Sequence, residues 1–389
     1  MELKNISIFS PLILIGVIFF YVLFALICTT YYIGGLSPVK LLTYLYIIYG
    51  TLIFLVGYLS ARLIEKYYFK KNIGDKNAKD VLKSFLDIME NNRRFTENGV
   101  RNWVLLALFL QLINLIFLGG IPLFSGYLKA VAYNNLTVIA YILFLISITG
   151  LMAKFYDKKY YLLVLIGLIL FAATGYRAPI IGIILSVLIT IFYVNGNKLK
   201  YFLIFTPIII VLGLITGYVA ATHIQWQQWN VNPLNLVLIR AGYTLTILDQ
   251  IVPLQNTGHG LITYAVISGF FNSMDPRLVL GEFVLKHHTS ITSTIFGPAI
   301  LDWGYLGLTV QMFFLGLVLE LLHYLQKIKK GLYTTLYAIG LASTIIWVET
   351  SPMDLAVWIY YLAGVIVIIS VAYSLKISNQ SEKTRQKMK

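Results

Sequence analysis

The sequence contains little charge and a single cysteine. Charged residues make up 12% of the 389 positions, well below the share of about 25% in soluble domains, whereas apolar residues make up 59%. So little polar surface cannot cover a water-soluble particle, which excludes a soluble enzyme and a disordered chain. The lone cysteine, Cys28, excludes an intramolecular disulfide and therefore a disulfide scaffold.

Long apolar runs recur along the whole chain. A hydrocarbon core about 30 Å thick needs roughly 20 helical residues to cross it. We therefore predict an all-α polytopic membrane protein, with one membrane domain over 1–389 and about ten transmembrane helices. No small-residue cleavage site follows the first run, so we expect a retained span and not a cleaved signal peptide. The predicted spans are Pro11–Tyr32, Val39–Leu63, Trp103–Gly119, Leu136–Ala153, Tyr160–Gly175, Ala178–Asn195, Tyr201–Val219, Pro298–His323, Leu332–Val348 and Leu355–Leu375.

The basic residues are distributed unevenly between the two sides of this topology. With the N-terminus in the cytoplasm, 24 of the 30 Lys and Arg residues lie in cytoplasmic segments, as the positive-inside rule describes. These segments include a cytoplasmic loop at 64–102 and a basic cytoplasmic tail at 376–389. The net charge of +14 is thus accounted for by membrane orientation, and we expect no nucleic-acid partner. The predicted location is the cell membrane, with both termini cytoplasmic.

The run Tyr160–Asn195 is nearly twice as long as one span requires, which leaves two interpretations. It is either one very long helix or two short helices joined at Gly175–Pro179. Proline suits the first turn of a new helix, and only the break keeps the later basic segments in the cytoplasm. We predict two helices with Arg177 at the outer turn. Arg177 would then form an anion site beside a helix N-terminus, or extend to lipid headgroups.

A large extracytoplasmic loop is predicted at 220–297. Within it, apolar residues recur at three- and four-residue steps, which indicates an amphipathic helix: Leu234, Val237, Leu238, Ala241, Leu245, Leu248 and Val252. We expect the loop to fold back on the membrane and cap a cavity. Arg240, which lies off this stripe, either binds a phosphate through its planar fork or faces solvent.

Polar residues gather where this loop meets the eighth span. His288 is a candidate general base, because histidine titrates near neutral pH. The alternative is that His288 lies at the solvated edge of the loop and has no catalytic role. Asp302 opens the next helix, where it either complements the helix dipole or acts as a base or hydroxyl-binding carboxylate. The residues that we expect to bind substrate are Arg277, His287, Thr292, Ser293 and Thr294.

Ligands for a metal ion are scarce on the predicted outer side. The outer turns after the first and third spans contain no Asp or Glu, whereas hard divalent cations require oxygen ligands. The sequence also lacks a Walker-type glycine-rich loop and a Cys/His zinc motif. We therefore expect neither a metal nor another cofactor.

Several short motifs together resemble O-antigen and oligosaccharide repeat unit polymerases, which are related to O-antigen ligases. They are the ten-span layout, the large outer loop with Arg240, and the segments LGGIPLF at 118–124, TGYRAP at 174–179, TSTIFGP at 292–298 and DWGYLG at 302–307. The resemblance covers most of the chain. It implies a GT-C-like helical membrane fold.

The resemblance also implies an activity, a substrate and partners. A glycan on polyprenyl pyrophosphate would be transferred, without a metal, to the end sugar of a new lipid-linked repeat unit at the outer face. Arg177, Arg240, His288 and Asp302 would be the catalytic residues. Related ligases carry a histidine where this sequence has Thr292 and Ser293, and the nearest histidine is His288. Beyond the lipid bilayer, the implied partners are a flippase and a chain-length regulator.

Two alternative functions remain open at this stage. Short helices broken at a charged turn also occur at the substrate sites of transporters, so a lipid-linked oligosaccharide flippase is one alternative. We find no internal repeat between the two halves of the chain, which disfavours it. The other alternative is an O-antigen-type ligase, which would use the same chemistry with a different acceptor.

Overall fold

The computed structural model describes residues 8–69, 96–132, 134–196, 233–272 and 274–387. The structure is 81% helical, and no strand occurs within the described residues. Nine helices in this part of the chain are long and apolar enough to cross a membrane. The prediction of an all-α polytopic membrane protein is therefore confirmed.

Thirteen α-helices make up the described part of the chain. They are α1 (Ile13–Thr30), α2 (Leu41–Ile64), α3 (Glu97–Phe117), α4 (Gly126–Ala132), α5 (Asn135–Phe155), α6 (Tyr160–Ala172), α7 (Arg177–Val194), α8 (Pro233–Ile251), α9 (Leu261–Asn272), α10 (Pro276–Leu285), α11 (Gly297–Ile328), α12 (Leu332–Thr350) and α13 (Leu355–Lys387). Short 3₁₀ turns lie at Ile33–Gly35, Pro122–Phe124 and Val252–Leu254.

Most predicted spans correspond to helices of the structure. The predicted span Tyr201–Val219 and most of the predicted loop at 64–102 lie outside the described residues. The predicted basic tail continues α13 as a helix to Lys387. The run at 160–195 forms two helices, α6 and α7, as predicted. Gly175 lies between them at φ +76°, a left-handed conformation that glycine adopts without steric strain.

Helices α2 and α11 pack side by side because two glycines let their backbones approach closely. A Cβ atom on Gly57 would clash with the carbonyl oxygen of Phe313, and one on Gly316 would clash with that of Phe54. Small residues at such crossings are typical of helix pairs in membranes. The pair carries Arg62 near the end of α2 and Glu320 on α11, where the two side chains meet.

Helix α8 lies in the predicted outer loop, yet together with the turn that follows it (Asn235–Leu254) it is one of the nine segments long and apolar enough to cross a membrane. One of its faces is buried, and the helix contacts α1. The predicted apolar stripe is buried at Ala241, Leu245, Leu248 and Val252, whereas Val237 is exposed and Leu238 is half-buried. Near its start, Ile239 contacts Gly34. Near its end, Asp249 accepts hydrogen bonds from Lys40 N and the Thr43 hydroxyl. Both halves of α8 thus contact the connection between α1 and α2.

Candidate functional site

Arg177 is the first residue of α7, directly after the break at Gly175. The turn is held by the segment that precedes α4, because Leu123 N donates a hydrogen bond to Ala173 O at 2.9 Å. A Cβ atom on Gly175 would lie 3.3 Å from the Cα of Leu123, so the two segments pack tightly. Two segments that carry the resemblance, 118–124 and 174–179, therefore form one local structure that fixes where Arg177 begins its helix.

Arg240 lies on α8 where this helix approaches α1 most closely. A Cβ atom on Gly242 would lie 2.8 Å from the Sγ of Cys28, and the hydroxyl groups of Tyr21 and Thr244 are 2.5 Å apart. These contacts between α1 and α8 position the backbone that carries Arg240.

Arg177 and Arg240 converge on a single carboxylate, that of Glu349 in the last turn of α12. Arg177 Nη2 and Arg240 Nε both donate to Oε1 of Glu349, the second at 2.9 Å. Arg240 Nη2 also donates to the Thr292 hydroxyl at 2.6 Å. We call these four residues the arginine cluster. It holds two positive charges and one negative charge, and its ionic side chains are 26–32% exposed.

The predicted hydroxyl residues lie directly against this cluster. Thr292 accepts a hydrogen bond from Arg240, and Ser293 is paired with Ser351, which follows the last turn of α12. Ser351 Oγ accepts from Ser293 N at 3.0 Å and donates to Ser293 O at 2.6 Å. The Thr294 hydroxyl is buried and has no hydrogen-bond partner among the described residues. The segment at 292–294 therefore fixes the end of α12 that carries Glu349.

The other candidate residues are engaged elsewhere. His287 and His288 are exposed, and His288 Nδ1 pairs with the exposed carboxylate of Glu282. The guanidinium group of Arg277 donates a hydrogen bond to Asp354 at 2.7 Å, and both side chains are largely buried. Arg277 is therefore not a solvent-exposed charge of the loop.

Asp302 is buried, and its carboxylate is occupied at the start of α9. It accepts hydrogen bonds from Ile262 N at 3.0 Å and from Thr263 N and the Thr263 hydroxyl, each at 2.7 Å. The expectation that Asp302 complements the dipole of its own helix is wrong, because the N-terminus that it complements belongs to α9. Such a cap stabilises a fold by about 1 kcal/mol.

Sequence reasoning missed Glu349, in the last turn of α12, and Asp354, in the connection between α12 and α13. Both pair with arginines that had been singled out, Glu349 with Arg177 and Arg240, and Asp354 with Arg277. The available signal was two acids within six residues, in a turn between two apolar runs on the predicted outer side.

A further cation lies next to Arg177. Tyr176 donates from its hydroxyl to Lys129 O at 3.0 Å, and Lys129 Nζ lies 5.6 Å from the centre of the Tyr176 ring. Burial, together with the charge of Arg177, lowers the pKa of the Lys129 ammonium. Burial raises the pKa of the Tyr176 phenol. Lys129 is therefore a second basic side chain close enough to Arg177 for their charges to interact.

An apolar cavity of about 670 Å³ opens between α9, α11 and α13. Trp303, Phe314 and Trp358 line it, and Pro352 forms part of its wall. Pro352 follows Ser351 in the turn that begins at Glu349, so the cavity and the arginine cluster share this turn. A volume of this size can hold part of a lipid chain.

Within the described residues, no group of three or more His, Cys, Asp or Glu side chains is arranged to hold a metal ion.

Comparison with known proteins gives one family and two relatives. The family model described as "Putative O-antigen polymerase" matches residues 7–361. An uncharacterized protein of Methanocaldococcus jannaschii is 28% identical over 264 residues, which is 66% of this chain and 72% of that protein. A second uncharacterized protein of the same organism is 28% identical over 227 residues, which is 58% of this chain and 54% of that protein. No solved structure matches the chain.

Proposed function

Because the chain belongs to the O-antigen polymerase family, for which polymerisation of a polysaccharide at a membrane is the expected activity, we propose that it polymerises lipid-linked oligosaccharide repeat units. The observation that carries this proposal is the convergence of Arg177 and Arg240. They lie on different helices and donate to the same carboxylate oxygen, in a half-exposed position next to an apolar cavity. Such a site suits an anionic group attached to a long apolar chain.

The proposed donor is a glycan linked to polyprenyl pyrophosphate. In the transfer, a hydroxyl oxygen of the acceptor sugar forms a bond to the anomeric carbon of the donor. The bond from that carbon to the pyrophosphate oxygen breaks, its electron pair stays with the pyrophosphate, and the proton of the acceptor hydroxyl is released to water. The guanidinium groups of Arg177 and Arg240 would stabilise the charge that develops on the leaving pyrophosphate.

This role for the arginines needs no metal ion, and we propose a metal-independent, inverting glycosyltransferase. Guanidinium groups match phosphate oxygens through pairs of parallel N–H bonds, so they can supply the charge that a divalent cation supplies elsewhere. Thr292, bonded to Arg240, would orient one of them. We assign no part in this cluster to His288 or Asp302, whose roles as general bases stay predictions.

The apolar cavity supports a lipid carrier. Pro352 in its wall follows Glu349 by three residues along the chain, so we place the diphosphate at the arginines and the hydrocarbon chain of the same molecule in the cavity. Helix α8 covers the cluster on one side, which would exclude water and so limit hydrolysis of the donor.

The proposed sidedness follows from the charge distribution. The 24-to-6 distribution of Lys and Arg favours cytoplasmic termini and an outer arginine cluster, in a protein of the cell membrane. A flippase that delivers repeat units and a regulator of chain length are proposed partners.

The decisive experiment deletes the gene from its host and separates the lipid-linked glycans on a gel. We expect a ladder of long chains to collapse to single repeat units exposed at the outer face. Repeat units that remain on the inner leaflet would identify a flippase instead. Long lipid-linked chains that fail to reach their final acceptor would identify a ligase.

A further inference from the structure

Glu349 holds the two arginines through one oxygen atom. Both arginine hydrogen bonds end on Oε1, and Oε2 has no hydrogen-bond partner among the described residues. Two guanidinium groups this close to one atom repel each other unless an anion lies between them. The carboxylate therefore stabilises the pair in the empty site, although it offers them one acceptor atom where a diphosphate offers several.

A bound diphosphate and Glu349 would need the same N–H groups. Arg177 Nη2 and Arg240 Nε are donors that a phosphate would engage, and each already donates to Glu349. Building on the proposed function, we propose that Glu349 is an exchangeable counter-ion. It holds Arg177 and Arg240 together while the site is empty, releases them to the incoming diphosphate, and takes them back when the product leaves.

The position of Glu349 allows its side chain to move without its helix. The backbone after α12 is fixed, because the Ser351 hydroxyl accepts a hydrogen bond from Ser293 N and donates one to Ser293 O. The Glu349 side chain itself is 26% exposed, so it borders open space into which another rotamer can turn. A fixed backbone with a movable carboxylate is the arrangement that an exchange requires.

The exchange matters most after the transfer step. The substrate diphosphate is esterified at both ends, whereas the product has a free terminal phosphate and therefore more negative charge. Two arginines without a competing anion would hold this product more tightly than the substrate. The returning carboxylate of Glu349 offsets that difference and speeds product release.

The test replaces the carboxylate by its neutral amide in the purified full-length protein. Farnesyl diphosphate, a short polyprenyl diphosphate, is titrated into the wild type, into Glu349→Gln and into Asp157→Asn. Asp157 is an exposed acid in the connection between α5 and α6, where it bonds to Lys159, and serves as a control for the loss of one negative charge. We expect Glu349→Gln to bind the probe roughly tenfold more tightly, the size of a typical coupling between competing charges, and Asp157→Asn to bind like the wild type.

Kinetics separate exchange from a direct part in the chemistry. With lipid-linked repeat units, Glu349→Gln should lower both KM and kcat several-fold, because product release becomes slow, while the rate of a single turnover stays within about twofold of the wild type. A single-turnover rate that falls as far as kcat would overturn the proposal and assign Glu349 to the transfer step itself.

Weaker or unchanged binding of farnesyl diphosphate by Glu349→Gln would also overturn it, since Glu349 would then only shape the site. Glu349→Asp, which keeps the charge on a shorter side chain, should bind with an affinity between the wild type and the amide. An affinity below the wild type would contradict the exchange. Arg240→Lys in the same titration tests the diphosphate site itself. Full retention of affinity by this variant would reject the diphosphate site of the proposed function. If the variant loses affinity, the site stands, and the Glu349→Gln result then tests the exchange alone.

Discussion

Among the described residues, two clusters of ionic side chains lie towards opposite ends of α11 and differ in charge balance and exposure. The arginine cluster lies where α11 begins, and it has two cations for one carboxylate, with side chains 26–32% exposed. The second cluster comprises Arg62, Glu320 and His323, and Glu320 lies in the second half of α11, beyond the kink at Gly304. There, Glu320 and His323 are each 1% exposed, and Arg62 Nε approaches Glu320 at 2.5 Å.

The two clusters differ in the properties that separate the proposed anion site from a structural ion pair. Around Glu320 the charges balance when His323 is neutral, and the carboxylate is enclosed between helices. Around Glu349 one positive charge is left over, and the side chains border open space. Excess charge and access together indicate binding of an anion, whereas balance and enclosure indicate a contribution to stability.

The largest effect is expected when lysine replaces either arginine, because the positive charge is kept but the planar guanidinium group is lost. Lysine cannot grip two phosphate oxygens at once, so we expect Arg177→Lys and Arg240→Lys to lose about 10²–10³-fold in polymerisation rate, nearly as much as the alanine variants. The measurement is the length distribution of lipid-linked glycan at equal membrane levels of protein. Arg62→Lys is the matched control and should make glycan chains of wild-type length. Normal chain length in the Arg177 and Arg240 variants would leave those arginines with only an orienting role.

A mutation in the second cluster should lower the free energy of unfolding and leave the transfer rate unchanged. Arg62→Ala leaves Glu320 buried without its cation, and we expect a loss of roughly 2 kcal/mol, below the value for a fully buried pair because Arg62 is half exposed. Thermal unfolding in detergent measures this loss, and the transfer rate per folded molecule should stay near the wild type. A rate loss as large as that of Arg240→Lys would show that the two clusters do not differ as argued.

A smaller effect is expected at Arg277, which had been a candidate for substrate binding. Its partly buried pair with Asp354 stabilises the start of α10 against the turn before α13, so Arg277→Ala should cost about 1 kcal/mol of stability and less than tenfold in rate. Lys286→Asn, at an exposed position with φ +58°, is the control and should change neither quantity. A rate loss above a hundredfold in Arg277→Ala would place Arg277 among the residues that bind the substrate.

The smallest effect is expected from removal of divalent cations. If the arginines stabilise the leaving pyrophosphate, EDTA should leave the transfer rate unchanged within about twofold. The rate is measured with purified protein and lipid-linked repeat units, before and after chelation. Loss of activity that Mg²⁺ or Mn²⁺ restores would contradict a metal-independent transfer.

The sequence predicts the architecture well because span length and charge asymmetry are local properties. The break before Arg177 follows from Gly175 and Pro179, and the buried stripe of α8 follows from its three- and four-residue steps. Contacts between side chains that are distant in sequence are harder to predict. Arg177 and Arg240 were singled out one by one, but their meeting point at Glu349 depends on how α7, α8 and α12 pack.

Glu349 and Asp302 show why the rest of the site escaped sequence reasoning. Glu349 directly follows a predicted span and has no recognisable motif, so only its partners reveal a role. Asp302 lies in a motif of the resemblance, yet its carboxylate bonds to the start of α9, a helix that precedes it by about 40 residues. Hydrogen bonds over such sequence separations carry no periodic signal along the chain.

The central claim is that Arg177 and Arg240 form one diphosphate site open to the outer face. Its most direct test places single cysteines beside the arginines, at Ala178 and Tyr243, in a Cys28→Ala background that keeps both arginines. In right-side-out membrane vesicles, we expect a membrane-impermeant thiol reagent added outside to modify both cysteines, and farnesyl diphosphate to slow both reactions several-fold. Modification only after the vesicles are opened, or at a rate that the diphosphate does not change, would contradict the account.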